Sequence, residues 1–572
     1  MSTPLSSSQL NIYLDQFTTP DEPNYNIGGY VEIKGTLDLP KFQQAFTKIM
    51  TEHDVFNLIF KQQDNEIVQI PQDYQHNLVF KYASSLDNIM TDIQSMMRTP
   101  FDLTRLPLYE SGVIQHTDNH HFFYIIVHHL IIDGWSYSLF TRKLFSYYEA
   151  LANAEQLDDS MPTPSYLALV DKLNHNDGDK KERNLNFWQE TLDLSQPPLF
   201  EQRVCSPESQ KRKPNLRHTI SLPKQQYFAL KHELEHHKLG MHHYFIGLLQ
   251  LYFSQVCDQE SIVLGLPSHN RRGALQKQTL GCFSSVGLGK FTTDQHASLL
   301  ENLQLIAQQW RKFQRHNQFP LNELYNRLNS EQKKPRSLFE IEFNYQMLDY
   351  NFDCASVETY VQAMATGYEK SPLAITVCEY DQYNDIDVHL DFNLAYFTPF
   401  RAENIKASLT HLYHTCRLEN VAPVRELTII ADNELASLRA DEQGLTISEG
   451  QSQHSLVQFM AKVAAQPNQV AISYKDSTLT YQALADLMAS YVHQLQQIAV
   501  KPNARIAIMF DRTPNMVAAM LATWAVGATY VPLDKQYPIN RLSYILSDAN
   551  VDIILCDDRQ HTLFETLPTG VN

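Results

Sequence analysis

From His121 to Asp133 the chain reads HFFYIIVHHLIID, a nearly unbroken run of aromatic and β-branched residues ending in two histidines and an acid. Such a run reads as a strand covered on both faces. Adjacent strand residues point to opposite faces, so His128 and His129 cannot do the same job. One faces a cavity while the other turns into the protein. Gly134 follows, where a missing Cβ allows close backbone approach or a turn with positive φ.

The residues alone leave three readings of this segment open. A histidine beside a core strand is commonly a hydrogen-bonded structural residue. Two imidazoles with a carboxylate at Asp133 also suit zinc or iron, although strand alternation splits the pair and a third ligand would be needed. The third reading is chemistry, because titratable groups stand where an apolar strand opens into a turn.

The full string HHLIIDGWS, His128 to Ser136, has the form HHxxxDG followed by an aromatic and a serine. It resembles the core motif of nonribosomal peptide synthetase condensation domains. LSSSQLNIYLDQ (Leu5 to Gln16) is similar to the family's opening motif, a Ser-x-x-Gln followed by an aromatic. EHDVFNLIF (Glu52 to Phe60) resembles R-H-E-x-L-R-T-x-F, with His53 kept, Asp54 as the acid and Asn57 in place of an arginine. VLGLPSHNRR (Val263 to Arg272) resembles G-x-P-x-x-x-R. TLGCFSSVG (Thr279 to Gly287) resembles I-G-x-F-V-N-T, departing at Ser284 and Ser285, and RHNQFP (Arg315 to Pro320) resembles H-Q-x-x-P, departing at Asn317. Any one of these would be weak; six in order are specific.

The resemblance implies an α/β fold of two chloramphenicol-acetyltransferase-like lobes, 1–175 and 176–440, forming a V with a central tunnel. Carrier proteins would enter from opposite ends and bring donor and acceptor thioesters on 4'-phosphopantetheine arms, with no cofactor attached to this chain. The implied reaction is attack of the acceptor's α-amine on the donor carbonyl, an acyl transfer that forms an amide. A thioester is already activated, so the catalyst chiefly holds the reactants together and manages the amine's proton. His129 is expected to do this, as general base or as hydrogen-bond acceptor, with His128 beside it. Asp133 is expected to pair with Arg271 beneath the site, where breaking one side of a charge pair is costly. Gly134 would keep the floor clear for the pantetheine arm, and Trp135, Ser136, Ser284, Ser285 and Tyr345 would line the substrate path.

Sibling activities fit less well. An epimerase shares the two histidines but usually lacks the Gly-Trp-Ser continuation, and a heterocyclising domain has an acid where this chain has His128. From another class, the chain could be a noncatalytic platform that recruits a carrier or an oxygenase, against which His129 and Gly134 count. NYNIGGYVEIKG (Asn24 to Gly35), SHNRRGALQKQTLGCF (Ser268 to Phe283) and RHNQFPLNEL are nearer to starter-type domains, which acylate the first amino acid, than to those joining two L-aminoacyl units. The alternative is an ordinary elongation domain. Because the domain begins close to Met1, the donor is expected to arrive in trans.

Composition narrows the classes further. A chain of 572 residues holds more than one domain. Its net charge of -18 and the lack of a basic stripe argue against a nucleic-acid partner. Seven scattered cysteines without a CxxC pair fit a reducing, cytoplasmic setting and supply no metal framework. The start lacks the pattern of a signal peptide, and no apolar stretch approaches membrane-spanning length.

Elsewhere, Phe42, Phe46, Ile49 and Met50 recur at helical spacing, and VFNLIF and EIVQI read as a hairpin around Gln62 to Asn65. The polar stretch from Asp171 to Lys213 reads as an exposed connection between lobes. HHKLGMHHYF (His236 to Phe245) invites a metal reading, but its apolar spacing favours a helix. A polar linker is expected at 441–454. Beyond it strands and helices alternate as in a parallel α/β unit. There STLTYQALA (Ser477 to Ala485) and WAVGATYVPLDKQYPINRLSYIL (Trp524 to Leu546) resemble two early motifs of amino-acid-adenylating domains. The 455–572 segment is therefore expected to be a partial adenylation domain, without a phosphate loop and unable to activate an amino acid, serving as a folding or docking platform.

Overall fold

His120–His128 is the middle strand of a five-stranded sheet whose order is Glu358–Ala363, Asn26–Lys34, His120–His128, Tyr109–Thr117 and Val79–Tyr82. It pairs antiparallel with both neighbours. Both of its faces are covered, as the apolar run requires. Phe123, Ile125 and Val127 pack with Phe42, Phe46 and Phe140 of helices Leu39–Glu52 and Gly134–Ala152. Phe122, Tyr124 and Ile126 pack with Ile89, Ile93 and Met97 of helix Leu86–Met97. The computed structural model describes residues 2–63, 66–155, 163–175, 178–193, 196–203, 215–330, 337–347, 354–379, 385–443, 454–475 and 477–557.

The apolar stripe from Phe42 to Met50 is fully buried, on a helix begun by Asp38, whose side chain accepts from the Lys41 N–H at 3.1 Å. The hairpin is present as Leu58–Gln63 against Glu66–Pro71. Asp54–Asn57 forms a 3₁₀ turn, so the VFN of VFNLIF lies outside the strand.

A second, six-stranded sheet has the order Ser285–Thr292, Ser261–Ser268, Ile341–Gln346, Leu373–Cys378, Ile386–Phe392 and Leu216–Leu222. The row Leu264, Ile341, Leu373, Phe392 and Leu216 belongs to a core shared with helices Met241–Val256, Leu299–Gln314 and Pro399–Thr415. The next row, Gly265, Glu342, Ala374, Asp391 and Arg217, alternates to the opposite side, away from those helices.

The expected division at 175/176 is crossed in space. Strand Glu358–Ala363 pairs with Asn26–Lys34, and Leu280, Cys282 and Phe283 lie in the core around His120–His128. The polar stretch after Asp171 is also more than an exposed connection. Helix Gly178–Thr191 buries Leu185 and Trp188 in the second core, and the Trp188 indole N–H donates to the His316 carbonyl at 3.0 Å. Its charged residues mark one face rather than the whole segment; the flank at 204–214 lies outside the described residues.

The chain divides into compact units 1–439 and 440–572. Helix Asp432–Gln443 runs into the expected linker, because DNELASLRADEQ is an unbroken series of helix-compatible residues; the linker's 444–453 portion lies outside the described residues. The second unit has a hairpin, Val470–Tyr474 with Ser477–Thr480, and a parallel sheet ordered Thr529–Pro532, Arg505–Met509, Ile553–Cys556. Ile506 packs towards helices Tyr481–Gln497 and Pro514–Ala525, while Ala507 and Met509 pack towards helix Ile539–Asp548. Among the described residues no helix is long and apolar enough to cross a membrane.

Candidate active site

The two histidines separate as strand geometry demands. His128, the last strand residue, is buried between the Tyr25 and Phe101 rings. Its Nδ1 accepts from the Leu130 N–H at 3.2 Å, and its Nε2 stands 3.5 Å from Gln16 Oε1. Burial, with His129 adjacent, holds its titration down at about 3, so it is a neutral structural imidazole near pH 7.

His129 leaves the strand. Its backbone N–H donates to the Tyr25 carbonyl at 2.7 Å, and its ring is only half-buried. Its Nδ1 lies 3.9 Å from Cys282 Sγ. Nε2 has no hydrogen-bond partner among the described residues. Burial lowers the imidazole's titration, against the opposing charge of Asp133. The ring is thus neutral near pH 7, and in the tautomer that carries its proton on Nδ1 the Nε2 atom is a free acceptor.

Beneath it, Asp133 has its acceptor positions filled. Its side chain caps helix Gly134–Ala152 by accepting from the Ser136 N–H at 2.8 Å. It also accepts from Arg271 Nη2 at 2.9 Å and from the Phe283 and Ser284 N–H groups at 3.0 and 3.1 Å. Arg271 reaches further, to the Gln276, Thr279 and Gly281 carbonyls and the Ser136 hydroxyl, with the Phe283 ring 4.3 Å from its guanidinium. Asp133, Ser136 and Arg271 therefore clasp segment 279–284 to the end of the central strand.

The remaining expected site residues fall in different places. Gly134 opens the helix without a positive φ, so the turn conformation that glycine would allow is not used there. Ser136 is fully buried and its hydroxyl is spent on Gly281 and Arg271, which removes it from the expected substrate path. Trp135 covers His269 and donates to the Lys277 carbonyl at 3.0 Å. Ser284 and Ser285 are half-buried where the clasped segment enters its strand. Tyr345 packs at the second core's edge, bonded to the Tyr227 hydroxyl at 2.7 Å and to Glu379.

Reasoning from sequence missed Tyr25 and Cys282. Only the motif position of Cys282, three residues past Thr279, could have flagged it. His242 and His243, from the histidine-rich run, stack near Trp310 at the start of their helix, and among the described residues no three His, Cys, Asp or Glu side chains converge as a metal site.

The condensation-domain family model matches residues 2–439. The chain belongs to the condensation-domain family. The AMP-binding enzyme family matches residues 459–570, so this condensation domain is followed by a partial AMP-binding domain. One of the plipastatin synthase subunits of Bacillus subtilis (strain 168) is 25% identical over 566 residues, covering 96% of this chain and 22% of that protein. A dimodular nonribosomal peptide synthase of the same organism is 25% identical over 564 residues, covering 96% and 23%. The chain thus spans less than a quarter of these relatives. In fold, a holo four-domain nonribosomal peptide synthetase bound to AMP and glycine has a TM-score of 0.70 at 17% identity, covering 100% of this chain and 44% of that one. The starter condensation domain of rhizomide synthetase has a TM-score of 0.61 at 19% identity, covering 75% and 100%.

Proposed function

We propose that this condensation domain joins a donor acyl thioester to the α-amine of an aminoacyl acceptor, each presented on the phosphopantetheine arm of a carrier protein. The observation that carries this reading is His129, a neutral imidazole with Nε2 unengaged among the described residues. The acceptor nitrogen attacks the thioester carbonyl, the C–N bond forms, and the C–S bond breaks to release the carrier thiol. His129 Nε2 accepts a proton from the attacking nitrogen, and the clasp formed by Asp133 and Arg271 fixes the backbone that carries it. Holding both thioesters within attack distance supplies most of the acceleration, and the histidine adds roughly 10²–10⁴-fold.

The donor is an acyl rather than a peptidyl group in this reading. The starter-like segments Asn24 to Gly35 and Ser268 to Phe283 support it, and a variant of the rhizomide starter domain, similar in fold, is described in complex with C8-CoA. The test offers the purified chain an acyl donor, on a carrier or on coenzyme A, or a peptidyl-carrier donor, with one aminoacyl-carrier acceptor. Amide product from the acyl donor is expected. Product from the peptidyl donor alone would refute the starter assignment, and no product from either would favour a recruitment platform.

A further inference from the structure

An α-ammonium must lose two protons to become an amide N–H. One leaves to expose the lone pair, and the second leaves after the C–N bond has formed. A single histidine accounts for one of them. A carboxylate that could account for the other is Glu342, on the strand Ile341–Gln346.

Ile341 and Phe343 point into the helical core, so Glu342 lies on the sheet's opposite face. Its cross-strand partners are Gly265 and Ala374. The Gly265 position is roofed by the Phe339 ring, 2.5 Å from where a Cβ would stand. Glu342 is half-buried and makes no hydrogen bond or ion pair among the described residues. Further along the same cross-strand row Arg217 is engaged with Asp391 at 2.6 and 2.8 Å, and Lys370 is engaged with Asp15. The Tyr25 hydroxyl donates to Asp15 at 2.6 Å and feels the charges of Asp15, Glu342 and Glu369. The Tyr25 carbonyl is the group that anchors His129.

We propose that Glu342 receives the acceptor's α-ammonium and takes its first proton, leaving His129 to take the second. This rests on the amide-forming reading above. The ammonium gives a proton to the carboxylate, leaving a neutral amine and a carboxylic acid. The amine attacks, His129 Nε2 accepts the second proton as the C–N bond forms, and the thiolate released by C–S cleavage recovers that proton as a thiol. Glu342 then returns its proton to water. Burial without a partner pushes Glu342 up to about 7, a cost that an incoming cation relieves.

The experiment measures amide formation by the full chain, with an acyl-CoA donor and an aminoacyl-pantetheine thioester acceptor, for wild type, Glu342→Gln and Glu342→Asp. Glu342→Gln should lower kcat/KM for the acceptor by about tenfold or more while the donor KM holds, and Glu342→Asp should recover part of the loss. The acidic limb of the Glu342→Gln profile should move upward, towards the roughly 7.7–8.0 of a free α-amine. In calorimetry, wild type should prefer a non-reactive aminoacyl-pantetheine analogue over its des-amino counterpart, and Glu342→Gln should lose that preference without melting lower. Unchanged acceptor kinetics and unchanged amine preference in Glu342→Gln, with wild type still forming amide, would overturn the role of Glu342 alone. Absence of amide from wild type would overturn the functional reading and this inference with it.

Discussion

Arg271 and Asp133 meet at 2.9 Å with both side chains sealed from solvent, although 138 residues separate them in sequence. Asp133 also caps the helix that follows the central strand, and Arg271 also holds the carbonyls of Thr279 and Gly281. One carboxylate thus fixes a helix start and a distant loop together, directly beneath His129. Removing either partner strands a buried charge, which costs about 3–5 kcal/mol. Asp133→Ala should therefore lower unfolding free energy by that amount in denaturant titrations, with activity falling in step. Full stability with lost turnover would mean instead that Asp133 acts on the substrate.

Gly29 should also resist substitution. A Cβ there would stand 2.0 Å from the Gln362 carbonyl oxygen of the strand that crosses from the second half of the domain. Gly29→Ala should loosen the pairing of Glu358–Ala363 with Asn26–Lys34 and destabilise the domain by about 1–3 kcal/mol. Amide hydrogen exchange across 358–363 should rise first. Unaltered exchange there would show that the crossing strand is held by other contacts.

Acid should destabilise the fold through its buried histidines. His53, His128 and His243 each titrate at about 3 in the folded chain, chiefly because burial penalises the charged ring. In the unfolded chain they titrate near 6.5. Between those limits the unfolded state binds protons that the folded state refuses, so stability is intact above about 6.5 and falls with pH by about 1.4 kcal/mol per unit for each histidine. His53 accepts from Lys143 at 3.2 Å, which adds a nearby positive charge to the burial. His53→Gln should flatten the dependence of unfolding free energy on pH between about 6 and 5 by one histidine's share. An unchanged slope would place the proton uptake elsewhere.

The central strand was legible because its composition is extreme. Thirteen residues from His121 to Asp133 carry the two-faced burial and the split between His128 and His129 in one readable stretch, whereas the helix cap at Asp133 emerges only in the structure. The Asp133–Arg271 pair was legible only through motif resemblance, since no periodicity links residues so far apart. Strand Glu358–Ala363 was not read at all, because its partner lies over three hundred residues earlier and its alternating ETYVQA is too short to stand out. Trp188 was hidden by the charged residues on the outer face of its own helix. The engagement of Ser136 and Tyr345 is illegible in sequence for a common reason: a polar side chain near a motif can be consumed by hydrogen bonds, and sequence carries no record of which partner claims it.

The central claim is that His129 Nε2 accepts a proton during amide formation. The most direct measurement is single-turnover amide formation with saturating acyl donor and aminoacyl acceptor, comparing wild type with His129→Ala at matched folded concentration. His129→Ala should retain its melting temperature within a few degrees and lose roughly 10²-fold or more in rate. A folded His129→Ala protein that forms amide at the wild-type rate would contradict the assignment.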